Sequence, residues 1–265
     1  MKFFPSGPKP TVEDAIAQLQ LLHPDLMREA TMPLVDKRIA QYITIDDPCK
    51  QLLRNAKLVA FRSEPVLIQG ESGTGKELLA KILLGNKPDD QFNAINCAGI
   101  VDTLFESLIF GHTRGAFTGA LSDKSGILVT AGTGVAFFDE VGELPLTQQA
   151  KLLRALQERK VMPVGAAYEI PIRCRFVFAT NRDLEQMVKT GTFREDLYFR
   201  ISPLTLHTIP LRERPHDAGP IAEDYCKRND FTMPEQAIPD KIIQSPGNIR
   251  ALQNWLLQQE VWGPQ

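Results

Sequence analysis

Gly70-Glu71-Ser72-Gly73-Thr74-Gly75-Lys76-Glu77 follows the short apolar run Pro65-Val66-Leu67-Ile68 and leads into Leu78-Leu79-Ala80-Lys81-Ile82. A strand, a glycine-rich turn and a helix therefore stand in that order, the opening of an α/β nucleotide-binding domain. The spacing meets G-x-x-x-x-G-K. Glycines let successive backbone N–H groups converge on phosphate oxygens at a helix N-terminus, and Lys76 reaches the terminal phosphates. Gly70, Glu71, Ser72, Gly73, Thr74, Gly75, Lys76 and Glu77 are the candidate nucleotide-binding residues. Glu77 stands where the generic motif has Ser or Thr, so a carboxylate replaces a hydroxyl and becomes a second candidate magnesium ligand, directly or through water. The bland alternative is a glycine turn with a solvated lysine.

Working outward, Phe92 to Asn96, Val135 to Phe138 and Arg175 to Ala179 are short apolar runs spaced as strands of a parallel sheet with crossover helices. Val135-Ala136-Phe137-Phe138 ends in Asp139-Glu140. Successive side chains at a strand end point opposite ways, so the two carboxylates can take different roles. In phosphoryl transfer, Asp139 would hold Mg2+ and Glu140 would orient the attacking water; an acidic pair after a strand also serves as a helix cap. Gly115-Ala116-Phe117-Thr118-Gly119-Ala120 suits neither a helix nor a strand interior, where each Gly costs up to about 1 kcal/mol against Ala. It suits a loop tip presenting Phe117.

With this hexapeptide, GESGTGKE, the FFDE strand and Gly142-Glu143-Leu144-Pro145-Leu146, the chain resembles the AAA+ ATPase domain of bacterial enhancer-binding proteins, over roughly residues 46 to 255. These proteins activate RNA polymerase carrying the sigma-54 type of sigma factor. The resemblance implies ATP and Mg2+ as cofactors, self-association into a ring, expected to be a hexamer, and a Gly115–Ala120 loop whose Phe117 and Thr118 contact the sigma factor of the holoenzyme. It also implies that Asn96 restrains the catalytic glutamate and that Asn181, in Ala179-Thr180-Asn181, is the first sensor. Arg194 and Arg200 match the arginine fingers, and Arg250, in Pro246-Gly247-Asn248-Ile249-Arg250, the second sensor. On one helix, residues six apart differ by about 240°, so the two arginines would not share one intramolecular acid; without the resemblance they read as surface salt bridges.

The 265 residues carry 30 Lys+Arg against 32 Asp+Glu, and 43% are hydrophobic, which suits ordinary globular domains and excludes collagen-like, disordered and basic-arm classes. Val12 to Met27 has the three- and four-residue apolar spacing of an amphipathic helix. Further helices are expected over Leu52 to Phe61, Ala218 to Arg228 and Ile249 to Glu260. Three parts are expected: a partly flexible extension over residues 1–45, the α/β domain over 46–208, and a helical lid over 209–265 that is abbreviated between Arg214 and Pro246. No DNA-binding domain, signal-receiving domain or membrane span is expected in this chain, and its location is expected to be cytoplasmic. Cys49, Cys97, Cys174 and Cys226 form no metal-binding spacing and read as reduced core residues. Two other functions remain open at this point, a non-hydrolysing protein that titrates another activator's ring and a remodeller with a different client.

Overall fold

The computed structural model describes residues 33–99 and 102–263. In chain order the elements are α1 (Pro33–Ile39), α2 (Asp47–Val59), β1 (Val66–Gln69), α3 (Lys76–Ile82), β2 (Phe92–Asn96), α4 (Asp102–Phe110), β3 (Gly111–His112), β4 (Lys124–Ser125), α5 (Ile127–Thr130), β5 (Val135–Asp139), α6 (Leu146–Glu158), β6 (Lys160–Val161), β7 (Ile170–Pro171), β8 (Arg175–Thr180), α7 (Leu184–Lys189), α8 (Glu195–Ile201), β9 (Leu204–His207), α9 (Ala218–Asn229), α10 (Asp240–Ile243) and α11 (Asn248–Trp262). The helix expected over Val12 to Met27 lies outside the described residues.

A five-stranded sheet in the order β2-β5-β8-β1-β9 forms the centre, and every neighbouring pair is parallel. Its register explains the apolar runs. Ala136, Phe138, Phe176 and Phe178 face one hydrophobic cluster, while Val135, Phe137, Val177 and Ala179 face another. A strand buried on both faces reads as a continuous apolar run rather than an alternating one. Phe138 and Phe178 stack with centroids 5.2 Å apart, and each fully buried ring contributes roughly 1.5–3 kcal/mol by leaving water.

β9 is the fifth strand, and it goes beyond the four expected. It is short and lies between Pro203 and Pro210, yet Leu204↔Val66 through His207↔Gln69 pair in register. Its two leucines on alternate positions were its one signal. α2 begins earlier than expected because Asp46 caps it, accepting from the Cys49 N–H at 3.2 Å, with Pro48 in the first turn. α11 covers Ile249 to Glu260 and extends past both ends.

Two hairpins leave the sheet domain together. β3 and β4 bracket the loop that holds Gly115–Ala120, and the β6–β7 connection supports it, with the Thr113 N–H donating to Val164 O at 3.0 Å and Val164 N–H to Gly111 O at 2.9 Å. A third cluster, from Leu211 and Ala218 to Trp255 and Leu256, forms the helical subdomain. Residues before the sheet belong to these cores: Val35 and Tyr42 lie in a sheet cluster, and Ile43 packs on the lid cluster. All four cysteines are buried and form no disulfide. Among the described residues no helix is long and apolar enough to cross a membrane.

Candidate functional site

The strand order brings the ends of β1, β8 and β5 side by side. Gly70 N–H donates to Thr180 O at 3.1 Å, which ties the start of the glycine loop to the end of β8; Cys97 N–H donates to Asp139 O at 2.8 Å across the next gap. Sequence positions 70–77, 139–140 and 180–181 thus meet at one sheet edge, the usual ligand edge of such sheets.

Gly75 caps α3 in the left-handed region at φ 98, and Gly73 has φ 76. These are conformations that an L side chain resists. The geometry aims the first N–H groups of α3 into the loop. Lys76 is 7% exposed; its Nζ donates to Gly70 O at 2.9 Å and to Glu71 O at 3.1 Å, so the ammonium is held inside the loop. Glu140 Oε1 lies 3.8 Å from that ammonium, and Glu140 Oε2 accepts the Asn181 backbone N–H at 3.2 Å. Glu140 itself takes φ 53, a strained setting for a non-glycine residue that turns its carboxylate back over the loop. Asp139 Oδ1 accepts the Glu140 N–H at 3.0 Å. Beside them the Cys97 thiol is pushed well above its ordinary range by burial and then by the charges of Asp139 and Glu140, which marks a dry, negative corner.

Other expected residues fall differently. Asn96 ends β2 next to Asp139, but its Oδ1 accepts the Ala98 N–H at 2.8 Å and makes no hydrogen bond with Glu140. Glu77 is exposed and pairs with Lys81 one turn on at 2.8 Å, so its carboxylate is occupied along the helix surface. Arg194 is not on a helix with Arg200: it is the residue before α8, extended, and its guanidinium grips Asp196 through two hydrogen bonds of 3.0 and 2.7 Å. The angular argument therefore does not apply. Arg200, in the last turn of α8, is exposed and has no ion pair among the described residues. Neither arginine hydrogen-bonds its own glycine loop.

The lid closes directly on that loop. Arg250 Nη1 donates to Ser72 Oγ at 3.1 Å, and Ile249 N–H to Gly73 O at 3.1 Å. Three residues that the sequence reading gave no role in the site fix this contact. Arg212 binds both oxygens of Glu71, at 2.7 and 2.5 Å. Asn248, fully buried, donates to Glu71 Oε2 at 3.0 Å and Ser72 O at 3.1 Å and accepts the Leu211 N–H at 2.8 Å. These two partners lower the Glu71 carboxyl to about 2. Arg214 is fully buried; it donates to Thr74 O at 3.3 Å, pairs with Asp217 at 3.2 Å and lies over the Tyr42 ring. Burial pushes the Tyr42 phenol up to about 12. The signal available in sequence was polar residues set tightly around Pro210 and Pro246.

The Gly115–Ala120 loop closes on itself: Gly115 N–H donates to Ala120 O at 2.9 Å and Ala120 N–H to Phe117 O at 3.0 Å. Ala120 is buried, Phe117 to Gly119 are exposed, and the Phe117 ring meets His112 edge-on at 5.0 Å.

Residues 42–207 match the family described as the Sigma-54 interaction domain. The chain is 43% identical over 223 residues to the sigma54-dependent transcriptional activator SfnR of Pseudomonas putida, covering 79% of this chain and 60% of the relative. It is 39% identical over 261 residues to the transcriptional regulatory protein GlrR of Escherichia coli K12, covering 94% and 58%. The chain thus spans about six-tenths of the length of these relatives. NtrX of Brucella abortus, solved in complex with ATP, superposes with a TM-score of 0.74 at 27% identity over 93% of this chain and 56% of that one. The fold is that of AAA+ P-loop proteins, and the chain belongs to the Sigma-54 interaction domain family, the AAA+ domain of bacterial enhancer-binding proteins.

Proposed function

We propose that this domain hydrolyses ATP at the contacts between subunits of a ring, expected to be a hexamer, and uses the Gly115–Ala120 loop to act on the sigma-54 factor of an RNA polymerase holoenzyme. The observation that carries the reading is the placement of Lys76 and Glu140 at 3.8 Å, with Glu140 oriented by a backbone N–H, at the mouth of a glycine loop. A cation for the phosphates and a base for water lie within reach of one γ-phosphate.

In this reading the amides of the loop and the head of α3 take the phosphates, and Lys76 exchanges its two carbonyl partners for phosphate oxygens. Two adjacent carboxylates at a strand end suit Mg2+, which takes one or two carboxylates and completes its shell with phosphate and water. Asp139 would hold the ion, which would supply positive charge to the phosphates. Glu140 accepts the proton of a water whose oxygen bonds to the γ-phosphorus as the bond to the β-bridging oxygen breaks. Asn181 holds Glu140 through its N–H. Arg250 reaches the phosphates from the lid. Arg200, exposed and free of ion pairs among the described residues, reaches the neighbouring subunit's γ-phosphate, and Arg194 joins it once released from Asp196. Asn96 restrains Glu140 after exchanging its Ala98 partner.

ATP turnover measured against protein concentration tests the ring: specific activity should rise steeply as subunits assemble. Glu140→Gln should cut turnover at least a hundredfold with ATP binding near normal. Mixing it with Arg200→Ala protein should restore part of the rate, because some contacts then pair an intact Glu140 with an intact Arg200. No turnover at any concentration would favour a non-hydrolysing protein that titrates another ring. Turnover without capture of sigma-54 would favour a different client.

A further inference from the structure

The opposite edge of the sheet, where the strands begin, carries a second concentration of charge. Val135 opens β5 and Arg175 opens β8, and between them and the turn after α3 lies a cavity of about 420 Å³. That is within the range of small-molecule sites, about 300–1,000 Å³. Among the described residues five cations border it, Arg62, Lys87, Arg159, Arg173 and Arg175, and no acidic residue does.

Arg175 is the anomalous member. It is 6% exposed, its Nε donates to the Glu64 carbonyl at 2.9 Å, and both terminal nitrogens are buried with no hydrogen-bond partner among the described residues. A buried guanidinium with its fork unpaired is costly, and more so because the group is charged. Burial lowers it to about 10, with Glu64 acting in the other direction, so it remains charged at neutral pH. Lys87 donates to Thr133 O and is itself lowered, first by burial and then by the charge of Arg175. Arg159 is spoken for: it donates to Cys174 O at 3.0 Å and lies over the Phe176 ring. Arg62 and Arg173 are exposed and make no ion pair among the described residues.

We propose that this cavity binds a small, multiply charged phosphate anion, held by the exposed guanidinium groups of Arg62 and Arg173 together with Lys87, while the buried guanidinium of Arg175 adds positive charge from behind the cavity wall. A planar guanidinium takes phosphate oxygens two at a time, and several uncompensated cations select a polyanion over a single charge. The site is separate from the glycine loop and does not depend on the ATPase reading.

The probe is inorganic pyrophosphate, titrated calorimetrically into Lys76→Ala protein so that the glycine loop does not compete, with ATP as a second probe. One saturable pyrophosphate site per chain is expected, weakening as salt rises. Because Arg175 is buried, the deciding variants are at exposed positions: Arg62→Glu with Arg173→Glu, added to Lys76→Ala, should weaken binding at least tenfold. In the otherwise unchanged chain the same pair should leave ATP turnover as it is. Pyrophosphate binding matched by ATP would assign the site to a nucleotide's phosphates; pyrophosphate alone would assign it to free oligophosphate. Absence of saturable binding at millimolar pyrophosphate, or binding indifferent to the two rim substitutions, would overturn the proposal.

Discussion

Two glycine-rich loops do opposite things with the same residue. In the phosphate loop, a Cβ on Gly70 would lie 1.9 Å from Thr208 Oγ1, and one on Gly73 would lie 2.3 Å from the carbonyl oxygen of Gly247. In the other loop, Gly115 and Gly119 have nothing within 4 Å of that position. Both loops use positive φ, but only the first is enclosed. The phosphate loop is set by the rest of the molecule: lid, β8 and β9 all hold it. The Gly115–Ala120 tip is shaped by its own hydrogen bonds and presents Phe117, Thr118 and Gly119 outward. Catalytic groups need fixed positions; a loop that acts on another molecule needs an unobstructed surface.

Gly73→Ala is the harshest test of that contrast. The new methyl meets backbone of the lid and a left-handed φ together, so a loss of about 2–4 kcal/mol and at least a hundredfold weaker ATP binding are expected. Thermal unfolding and nucleotide titration check it, and near-normal values would mean the lid does not hold the loop as closely as Gly247 suggests. Gly119→Ala meets only the conformational penalty, about 1–2 kcal/mol, a shift of a few degrees in melting temperature, with ATP binding unchanged. A fall in ATP binding equal to that of Gly73→Ala would abolish the distinction between the loops.

The outcome also bears on what could be read from sequence. β1, β5, β8 and the phosphate loop were legible because strands buried on both faces have to be apolar throughout and because phosphate binding demands glycine at set intervals; β2, a partly buried edge strand, offered only Phe92, Ala94 and Ile95. The lid clamp was not. Arg212, Asn248 and Arg214 act across more than a hundred residues on Glu71, Ser72 and Thr74, and no local spacing encodes such contacts. Likewise Asn96 and Arg194 stand where the motifs predict, but their side chains are engaged by Ala98 and Asp196, partners chosen by local geometry.

The clamp has a pH signature that the other loop lacks. Glu71 is lowered to about 2 by Arg212 and Asn248 from an ordinary value near 4.5, so its contribution is complete above pH 4.5 and disappears as pH falls towards 2. Between pH 5 and 3 the melting temperature should therefore fall further in the natural chain than in Glu71→Gln. The pair is partly exposed and screened, so the difference should correspond to about 1 kcal/mol or less. Equal slopes would show that the ion pair adds nothing to the lid. Smallest of all, Thr118→Ala should change stability by less than about 0.5 kcal/mol and leave ATP turnover alone while sigma-54 capture with a transition-state analogue falls sharply. Parallel loss of turnover and capture would make Thr118 structural, and retention of both would separate this loop from its proposed partner.

The buried carboxylate of Asp217 decides where this chain tolerates being cut. It accepts Thr44 Oγ1 and the Ile45 N–H at 2.7 Å each, the Asp46 N–H at 3.2 Å, and Arg214 at 3.2 Å. A fragment starting at Asp47 would look tidy, since α2 begins there, yet it would strip three of those four donors from a charge with no access to water. Fragments for crystallisation or exchange between relatives should keep Tyr42 to Asp46 with the lid, because those five residues are stitched to a helix that begins about 170 positions later.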